Sequence, residues 1–432
     1  LGMESGYFRF AAKAEAAGGD VQAAKKRLFA TTWGITSLAA LIFFVLIVVF
    51  RGPVSAVMGA EYEAHPLYVV VVAAIILFDV GACIPFSRLR EQGRAMKFVS
   101  LKLFNIVMQV SLAFAFWGIG LFDTDFGVGW AFVANLAASI CTWVLVMSTT
   151  EGTTPKIDRL LLAAVFVYSL PLLISGIAGT ANEFVDRQLI KYLVPEGAMA
   201  QLGIYGAITK IAVVMTLFTQ MYRLAAEPFF LSNFRKEEFV AMNAAAMKYY
   251  IMASMMIFLG IALFKELFAL IVGADFREGI FILPVILGAN MLNGVWLNLS
   301  FWYKREEKTA YAMVVTFAGL FFTILGGVLL IPRWGYYGAA WGRFISEAAM
   351  VAVSYALNRR FFPTPYDLRR IALYVVVGLA VFFVSEYVVE PNTSGAVRYI
   401  IDAALLLAYA AMAVRCEHID IGALMRAALK RR

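Results

Sequence analysis

Residues 28–50 read LFATTWGITSLAALIFFVLIVVF, a run of 23 residues without a charged side chain. A helix of about 20 apolar residues is long enough to cross the hydrocarbon core of a bilayer, which is roughly 30 Å thick. The run is apolar on every side rather than along one stripe, so it suits lipid or deep burial and not the surface of a soluble protein. This stretch therefore predicts a membrane-spanning helix.

Further stretches of similar length and composition follow along the whole chain. They cover 66–86, 98–121, 128–148, 160–183, 204–230, 249–272, 279–302, 310–331, 337–358, 371–389 and 396–414. The 432 residues are accordingly 62% hydrophobic and 15% charged, and their mean hydropathy is +0.79. A soluble domain carries roughly 25% charged residues. The sequence predicts an all-α polytopic membrane protein with about twelve spans.

The connections between these spans alternate in charge. One set of connections, together with the two termini, holds 25 lysines and arginines, and the opposite set holds only Arg51, Arg187, Lys191, Arg277 and Arg333. Basic connections stay in the cytoplasm, so the C-terminus is predicted to be cytoplasmic. The net charge of +8 is thus explained by orientation, and we expect no nucleic-acid partner. Outside the spans, only the connection 184–203 is long on the opposite side.

An internal repeat is indicated at a spacing of about 211–215 residues. Residues 90–92 (REQ) and 305–307 (REE) each open a basic turn, and residues 127–130 (GVGW) and 338–341 (GAAW) each open a span. Parallel repeats are typical of transporters built from two bundles. The repeat predicts an N-terminal bundle over 1–150, a second bundle over 151–362, and two extra helices with a basic tail over 363–432.

The same offset aligns Arg9 with Arg223. Residues 1–13 would then form the cytoplasmic end of a helix equivalent to 204–230. The first helix and most of the second are expected to be missing from this chain. The complete arrangement would have fourteen helices, six in each bundle and two at the C-terminus.

Five segments together resemble a known family. They are 2–10 (GMESGYFRF), 182–193 (NEFVDRQLIKYL), 201–212 (QLGIYGAITKIA), 218–230 (FTQMYRLAAEPFF) and 331–341 (IPRWGYYGAAW). This pattern is similar to Wzx-type polysaccharide and O-antigen flippases of the multidrug/oligosaccharidyl-lipid/polysaccharide exporter (MOP) superfamily.

The resemblance implies two six-helix bundles facing each other across a V-shaped cavity, followed by two further helices. It also implies a function: a lipid-linked oligosaccharide, carried on undecaprenyl diphosphate, would be moved across the bacterial inner membrane by alternating access. The implied partners are this substrate, membrane lipids, a coupling ion (H⁺ or Na⁺) and other proteins of polysaccharide assembly. Neither enzymatic activity nor a cofactor is expected.

Three basic residues are the candidates for binding the diphosphate. Arg9, Lys210 and Arg223 lie in or beside apolar spans, where a charge usually faces a cavity or a partner. Arginine binds two phosphate oxygens at once, and lysine acts as a point charge. The alternatives are snorkelling for Arg9 and an ion pair between Arg223 and Glu227, four residues further along the same helix face.

Polar residues inside two other spans are further candidates. Asn290 and Asn293 could hydrogen-bond a sugar, or they could instead bond between helices. Asp79, within the second span, is either a coupling site for a proton or an ion, or one half of a salt bridge with a base such as Lys102.

A polar cluster follows the fifth span. It comprises Asn182, Glu183, Asp186, Arg187 and Lys191. The cluster is predicted either to act as an outer gate or to form an interfacial helix in which Asp186 pairs with a neighbouring base. Glu227 is grouped with it as a residue for gating or coupling.

Other functional classes are weighed against this interpretation. A membrane enzyme of glycan polymerisation or ligation would need catalytic groups in a large outer loop, and the connection 184–203 contains no histidine. His65 and His418 lie at opposite faces and the three cysteines show no ligand spacing, so no metal site is expected. Within the same superfamily, a cation-coupled multidrug exporter and a lipid II flippase remain alternatives. The basic candidate residues favour an anionic lipid-linked substrate.

Overall fold

The computed structural model describes residues 2–17, 20–58, 60–150, 152–232 and 239–417, and within these ranges the chain is helical and contains no strand. Its helices are α1 Gly2–Ala17, α2 Val21–Val49, α3 Arg51–Met58, α4 Ala60–Ala64, α5 Leu67–Glu91, α6 Ala95–Gly118, α7 Gly129–Met147, α8 Arg159–Leu193, α9 Ala198–Ile211, α10 Val213–Ser232, α11 Phe239–Ala262, α12 Lys265–Ala269, α13 Leu283–Leu299, α14 Phe301–Arg305, α15 Ala310–Trp334, α16 Tyr336–Phe361, α17 Leu368–Val384, α18 Glu390–Asn392 and α19 Gly395–Cys416. A 3₁₀ helix, Ala274–Ile282, leads into α13, and a π-helix, Ser385–Val389, continues α17.

The predicted fold class, a polytopic all-helical membrane protein, is confirmed. Of the described residues, 10 helical segments are long and apolar enough to cross a membrane, and the bent pair α9–α10 makes an eleventh. The remaining predicted span, 337–358, corresponds to the helix α16. This helix has 26 residues, but it is not among the segments apolar enough to cross a membrane. Its first half contains Arg343 and Glu347.

Three predicted boundaries are wrong. The helix α8 continues to Leu193, so most of the predicted connection 184–203 is helical. The predicted span 249–272 is the helix Phe239–Ala262, about ten residues earlier. The predicted span 204–230 is broken after Ile211 and bends by 49°. Hydropathy marks the part of a helix that suits lipid, whereas backbone hydrogen bonding carries the helix into polar sequence beyond it.

The first compact unit consists of Leu1–Leu173, Leu231–Phe234 and Glu307–Thr309. Its central cluster includes Tyr7, Phe29, Ile84 and Val165, from α1, α2, α5 and α8. The helix α1, predicted to be the end of a helix, packs closely on α8, because a Cβ at Gly2 would lie 2.2 Å from a backbone oxygen of α8. Small residues allow helices to approach in this way.

The second compact unit consists of Ile174–Phe230, Arg235–Glu306 and Ala310–Arg432. Its largest core cluster includes Tyr205, Leu259, Leu287 and Ala340. Gly338 allows the two helices of the α15–α16 hairpin to approach closely, since a Cβ at this position would lie 2.4 Å from the Leu330 carbonyl carbon. The division into 1–150, 151–362 and 363–432, and the repeat behind it, stay predictions. The basic tail beyond Glu417 lies outside the described residues.

Candidate functional site: a charged network inside the second unit

Asp186 is the starting point of a buried polar network. It lies on α8 and is 3% exposed, because its side of the helix contacts Tyr205 of α9 and Arg343 of α16. The Tyr205 hydroxyl on α9 donates to Asp186 Oδ2 at 2.5 Å, and Tyr205 itself is fully buried. Arg343 Nη1 on α16 lies 3.7 Å from the same carboxylate oxygen. Asp186 therefore lies beside a base, as one of the two predicted alternatives required, but this base is distant in the sequence and not the neighbouring base that was predicted.

The arginine also contacts α13. Arg343 Nη2 donates to Asn290 Oδ1 at 3.3 Å. One turn along α16, the buried Glu347 accepts from Asn293 Nδ2, with both carboxylate oxygens at 3.4 Å. With both acids ionised, the network holds two negative charges and one positive charge. Side chains from four helices thus meet around one guanidinium group.

The break between α9 and α10 belongs to the same network. A helix that breaks inside a membrane frees backbone groups, which need new hydrogen-bond partners. Asn290 Nδ2 donates to the Ala212 carbonyl oxygen, at the break, at 3.3 Å. Asn290 is 7% exposed, and because it bonds both to Ala212 and to Arg343, it links the break directly to the arginine. This is the bond between helices that the sequence offered as the alternative to sugar binding.

Two predicted basic residues lie on either side of the break. Lys210 is exposed and Arg223 is half-buried. In the part of the chain that the structure describes, neither forms a hydrogen bond or an ion pair. The proposed pair Arg223–Glu227 is not formed, because Lys304 Nζ takes Glu227 Oε1 at 2.9 Å. Both basic side chains are therefore available to a ligand or to water.

The predicted polar cluster on α8 divides by helix face. Asn182 and Asp186 are one turn apart and point into the unit, where Asn182 Oδ1 accepts from the Thr323 hydroxyl. Glu183, Arg187 and Lys191 are exposed. Asp186 bonds directly to the network, and Glu183 lies close enough to act electrostatically on Arg343 and Glu347, so the five residues do not form one site.

In the first unit the predicted residues lie apart. Arg9 Nη2 pairs with Glu307 Oε1 at 2.6 Å, and Lys13 contacts the same oxygen. Burial opposes ionisation of Glu307, but the two bases outweigh it and lower the pKa of this carboxyl. Asp79 is exposed and has no ion pair with a described residue, and Lys102 instead lies over the Phe86 ring at 4.4 Å. The alternative salt bridge Asp79–Lys102 is therefore wrong.

The sequence analysis missed Arg343, Glu347 and Tyr205. A usable signal was present for the first two, because they are two charges four residues apart in a predicted span, on one helix face. No such signal exists for Tyr205. Among the described residues there is no group of three or more His, Cys, Asp or Glu side chains that could hold a metal ion.

These features define a polytopic helical membrane protein with a charged network and a broken span in its second unit. Neither a protein-family model nor a curated protein sequence matches the chain. Several solved structures share its fold. A MATE protein in the straight conformation superposes with a TM-score of 0.69 at 16% identity, over 86% of this chain and 85% of that chain.

Two further solved structures superpose on this chain to a similar extent. An outward-facing multidrug resistance MATE family transporter of the MOP superfamily gives a TM-score of 0.65 at 16% identity, over 86% of this chain and 84% of that chain. A MOP superfamily transporter from Pyrococcus furiosus, described as having a binding pocket of reverse polarity that suggests a different function, gives 0.67 at 15% identity, over 83% of both chains. The likeness to the MOP superfamily is thus confirmed for the fold, and the polysaccharide-flippase branch stays a prediction.

Proposed function

We propose that this protein is a transporter that moves an undecaprenyl-diphosphate-linked oligosaccharide from the cytoplasmic to the outer leaflet of the bacterial inner membrane. The observation that carries the proposal is a pair of basic side chains on a broken span, Lys210 and Arg223, which form no hydrogen bond or ion pair with any described residue. The C-terminus would be cytoplasmic. Its partners would be membrane lipids, a coupling ion and other proteins of polysaccharide assembly.

The physical argument starts from the cost of charge in a membrane. A basic side chain in a span is expensive unless it meets water, an acid or an anionic ligand. Lys210 and Arg223 have no acid among the described residues, so a wet path and an anionic ligand account for both. A diphosphate offers the oxygens that these groups bind best. Thirteen residues separate them, about 20 Å along a helix, so they would contact the diphosphate in succession during alternating access.

The charged network has a supporting role in this proposal. Asn290 and Asn293 are already bonded to the break and to Glu347, so they would hold the broken span rather than grip the sugar. Arg9 is paired with Glu307 and is not assigned to the substrate. Coupling to H⁺ or Na⁺ is assigned to Asp79 or Glu183, which are exposed and form no ion pair with described residues.

A cation-coupled multidrug exporter is the second candidate function. It is favoured by the same two exposed acids, which would attract a cationic drug, and by the naming of a structural neighbour as a multidrug resistance transporter. The two candidates differ in the residues they need. A drug exporter would depend on Asp79 and Glu183, whereas a diphosphate transporter would depend on Lys210 and Arg223.

The test is complementation in a bacterial host whose own polysaccharide flippase is deleted. Surface glycan would be measured with the wild-type protein, with Lys210→Ala, with Arg223→Ala and with the control Arg333→Ala. Arg333 is exposed at the far end of α15 and forms no hydrogen bond or ion pair with a described residue. Protein levels in the membrane would be matched for every variant.

Restored glycan that is lost in Lys210→Ala and Arg223→Ala but kept in the control would support the proposal. Glycan that survives both substitutions would refute the assigned path. If no glycan is restored, resistance of the same cells to cationic drugs would be measured with Asp79→Asn and Glu183→Gln. Resistance that depends on these acids would replace the proposed function with drug export.

A further inference from the structure

The loop between α7 and α8 encloses a cavity against the beginning of α2. Two amides of the loop bond to this helix: the Lys156 amide donates to the Ala30 carbonyl at 3.2 Å, and the Asp158 amide donates to the Thr31 side-chain hydroxyl at 3.3 Å. From the other side, Arg88 Nη1 donates to the Thr150 carbonyl at 3.0 Å. All of these residues belong to the first unit.

The cavity has a volume of about 650 Å³ and is basic. Its charged lining consists of Lys26, Arg27, Lys156 and Asp158. Arg27 is paired with Asp158, so these two charges compensate each other. Lys26 and Lys156 form no hydrogen bond or ion pair with any described residue, and they leave an excess of two positive charges.

The same lining contains a buried hydroxyl. Thr153 is 6% exposed, and its Oγ1 is covered and forms no hydrogen bond with any residue that the structure describes. A polar atom buried in this way normally has a partner, and its exceptions call for an explanation such as a missing ligand. A hydroxyl that lines the same cavity as these two lysines suits an anion that accepts hydrogen bonds.

A neighbouring cavity provides an internal comparison. It has a volume of about 440 Å³ and shares Lys26, but its other lysine, Lys25, is paired with both Glu15 and Glu91. The positive charge of Lys25 in this second cavity is therefore compensated by acidic side chains of the protein. Of these two cavities, the one under the loop combines uncompensated lysines with a buried hydroxyl that has no partner among the described residues.

We propose that the cavity lined by Lys26, Thr153 and Lys156 is a binding site for a phosphate group. The phosphate would come either from an anionic phospholipid headgroup or from a free phosphate in solution. The site lies at the end of the spans where basic residues are concentrated, and such residues attract anionic lipids. Leu160, the second residue of α8, is 85% exposed and offers apolar surface to an acyl chain.

The test uses the purified full chain and two arms. In the first arm, pyrophosphate and inorganic phosphate are titrated in detergent at low salt, and the rise in unfolding temperature is measured. In the second arm, the protein is placed in nanodiscs of phosphatidylcholine with and without phosphatidylglycerol, and the same temperature is measured. Neither arm measures transport, so the result is independent of the proposed function.

Three variants and one control separate binding from folding. Lys26→Gln and Lys156→Gln should each weaken phosphate affinity roughly fivefold, and the double variant about 25-fold. The control is Lys97→Gln, an exposed lysine at the beginning of α6 that does not line the cavity. Thr153→Val keeps the shape of the side chain and removes the hydroxyl. It should leave the ligand-free unfolding temperature unchanged or raise it, while it reduces the shift caused by phosphate.

Stabilisation in the first arm that these variants reduce would support a free phosphate as the ligand. Stabilisation by phosphatidylglycerol alone, reduced by the same variants, would support a lipid headgroup. The proposal would be overturned if the wild-type protein is stabilised in neither arm. It would also be overturned if phosphate raises the unfolding temperature of the double variant Lys26→Gln/Lys156→Gln as much as that of Lys97→Gln. A Thr153→Val variant that unfolds at a lower temperature without ligand would show a structural hydroxyl and remove it from the site.

Discussion

Removing the guanidinium group of Arg343 should destabilise the second unit strongly. Arg343 lies 3.7 Å from Asp186 and 3.3 Å from Asn290, and it is one turn from the buried Glu347 on the same helix. In an Arg343→Met variant, the apolar part of the side chain is kept and the charge is lost. The Asp186 carboxylate, whose side chain is 4% exposed, would then be left with only the Tyr205 hydroxyl and a backbone amide.

The expected loss is about 3 kcal/mol in the free energy of unfolding. Breaking a buried ion pair by removing one partner costs about 3–5 kcal/mol, because the other charge stays buried. The Arg343 side chain is 23% exposed, which favours the lower end of this range. If the uncompensated Asp186 carboxylate is the main cause, adding Asp186→Asn should recover at least half of the loss, since the double variant no longer buries that charge and only Glu347 still lacks the arginine.

The measurement is unfolding in mixed micelles of SDS and dodecyl maltoside, followed by tryptophan fluorescence. The matched control is Arg187→Met, which removes an exposed arginine next to Asp186 and should change the free energy by less than about 0.5 kcal/mol. A neutral Arg343→Met variant would refute the reasoning. So would a double variant that is no more stable than Arg343→Met, because the loss would then come from packing alone.

Three further outcomes are expected. Gly338→Ala should lower stability by about 1–3 kcal/mol, because the new Cβ would meet the Leu330 backbone at 2.4 Å and cannot be accommodated by a side-chain movement. Lys265→Met should lower the unfolding temperature, because Lys265 is 2% exposed and its ammonium group lies 2.5 Å from Glu386 Oε1. The wild-type protein should lose more stability than Glu417→Gln as pH falls from 6 towards 2. Burial raises the pKa of Glu417, but bonds from its basic and phenolic neighbours, led by one from Lys248, outweigh this and lower it to about 2.

The sign of the pH effect follows from this depressed pKa. A carboxyl with a lower pKa in the folded state stabilises the protein fully above its unfolded value, roughly 4.3, and loses this contribution as pH falls through the folded value. An equal loss of stability in Glu417→Gln would contradict this explanation of the pH effect.

For the Gly338→Ala prediction, Gly260→Ala is the control, because a Cβ there meets nothing within 4 Å and alanine favours the helix. A Lys265→Met variant that unfolds no earlier than wild type would contradict the role of that ion pair.

The sequence was sufficient for the fold class because hydropathy is a property of one segment at a time. The run 28–50 and the stretches like it predict helices from their own composition, and the structure has helices there. Prediction was less successful where a helix leaves the apolar region: α8 continues ten residues beyond the predicted end, and Arg343 interrupts the apolar character of α16. In both places the backbone stays helical while the side chains turn polar.

The candidate site needed the tertiary structure. Lys210, Arg223 and Asp186 were recognisable from the sequence as costly charges, but their partners were not. The sequence suggested Glu227 as the partner of Arg223 because the two are one turn apart, whereas in the fold Glu227 forms an ion pair with Lys304. The fold also brings Asp186 on α8 to Arg343 on α16. A segment's own composition determines whether it enters the membrane, but which faces of distant helices meet depends on the packing of the whole unit, and that packing decides which charges are compensated and which stay free.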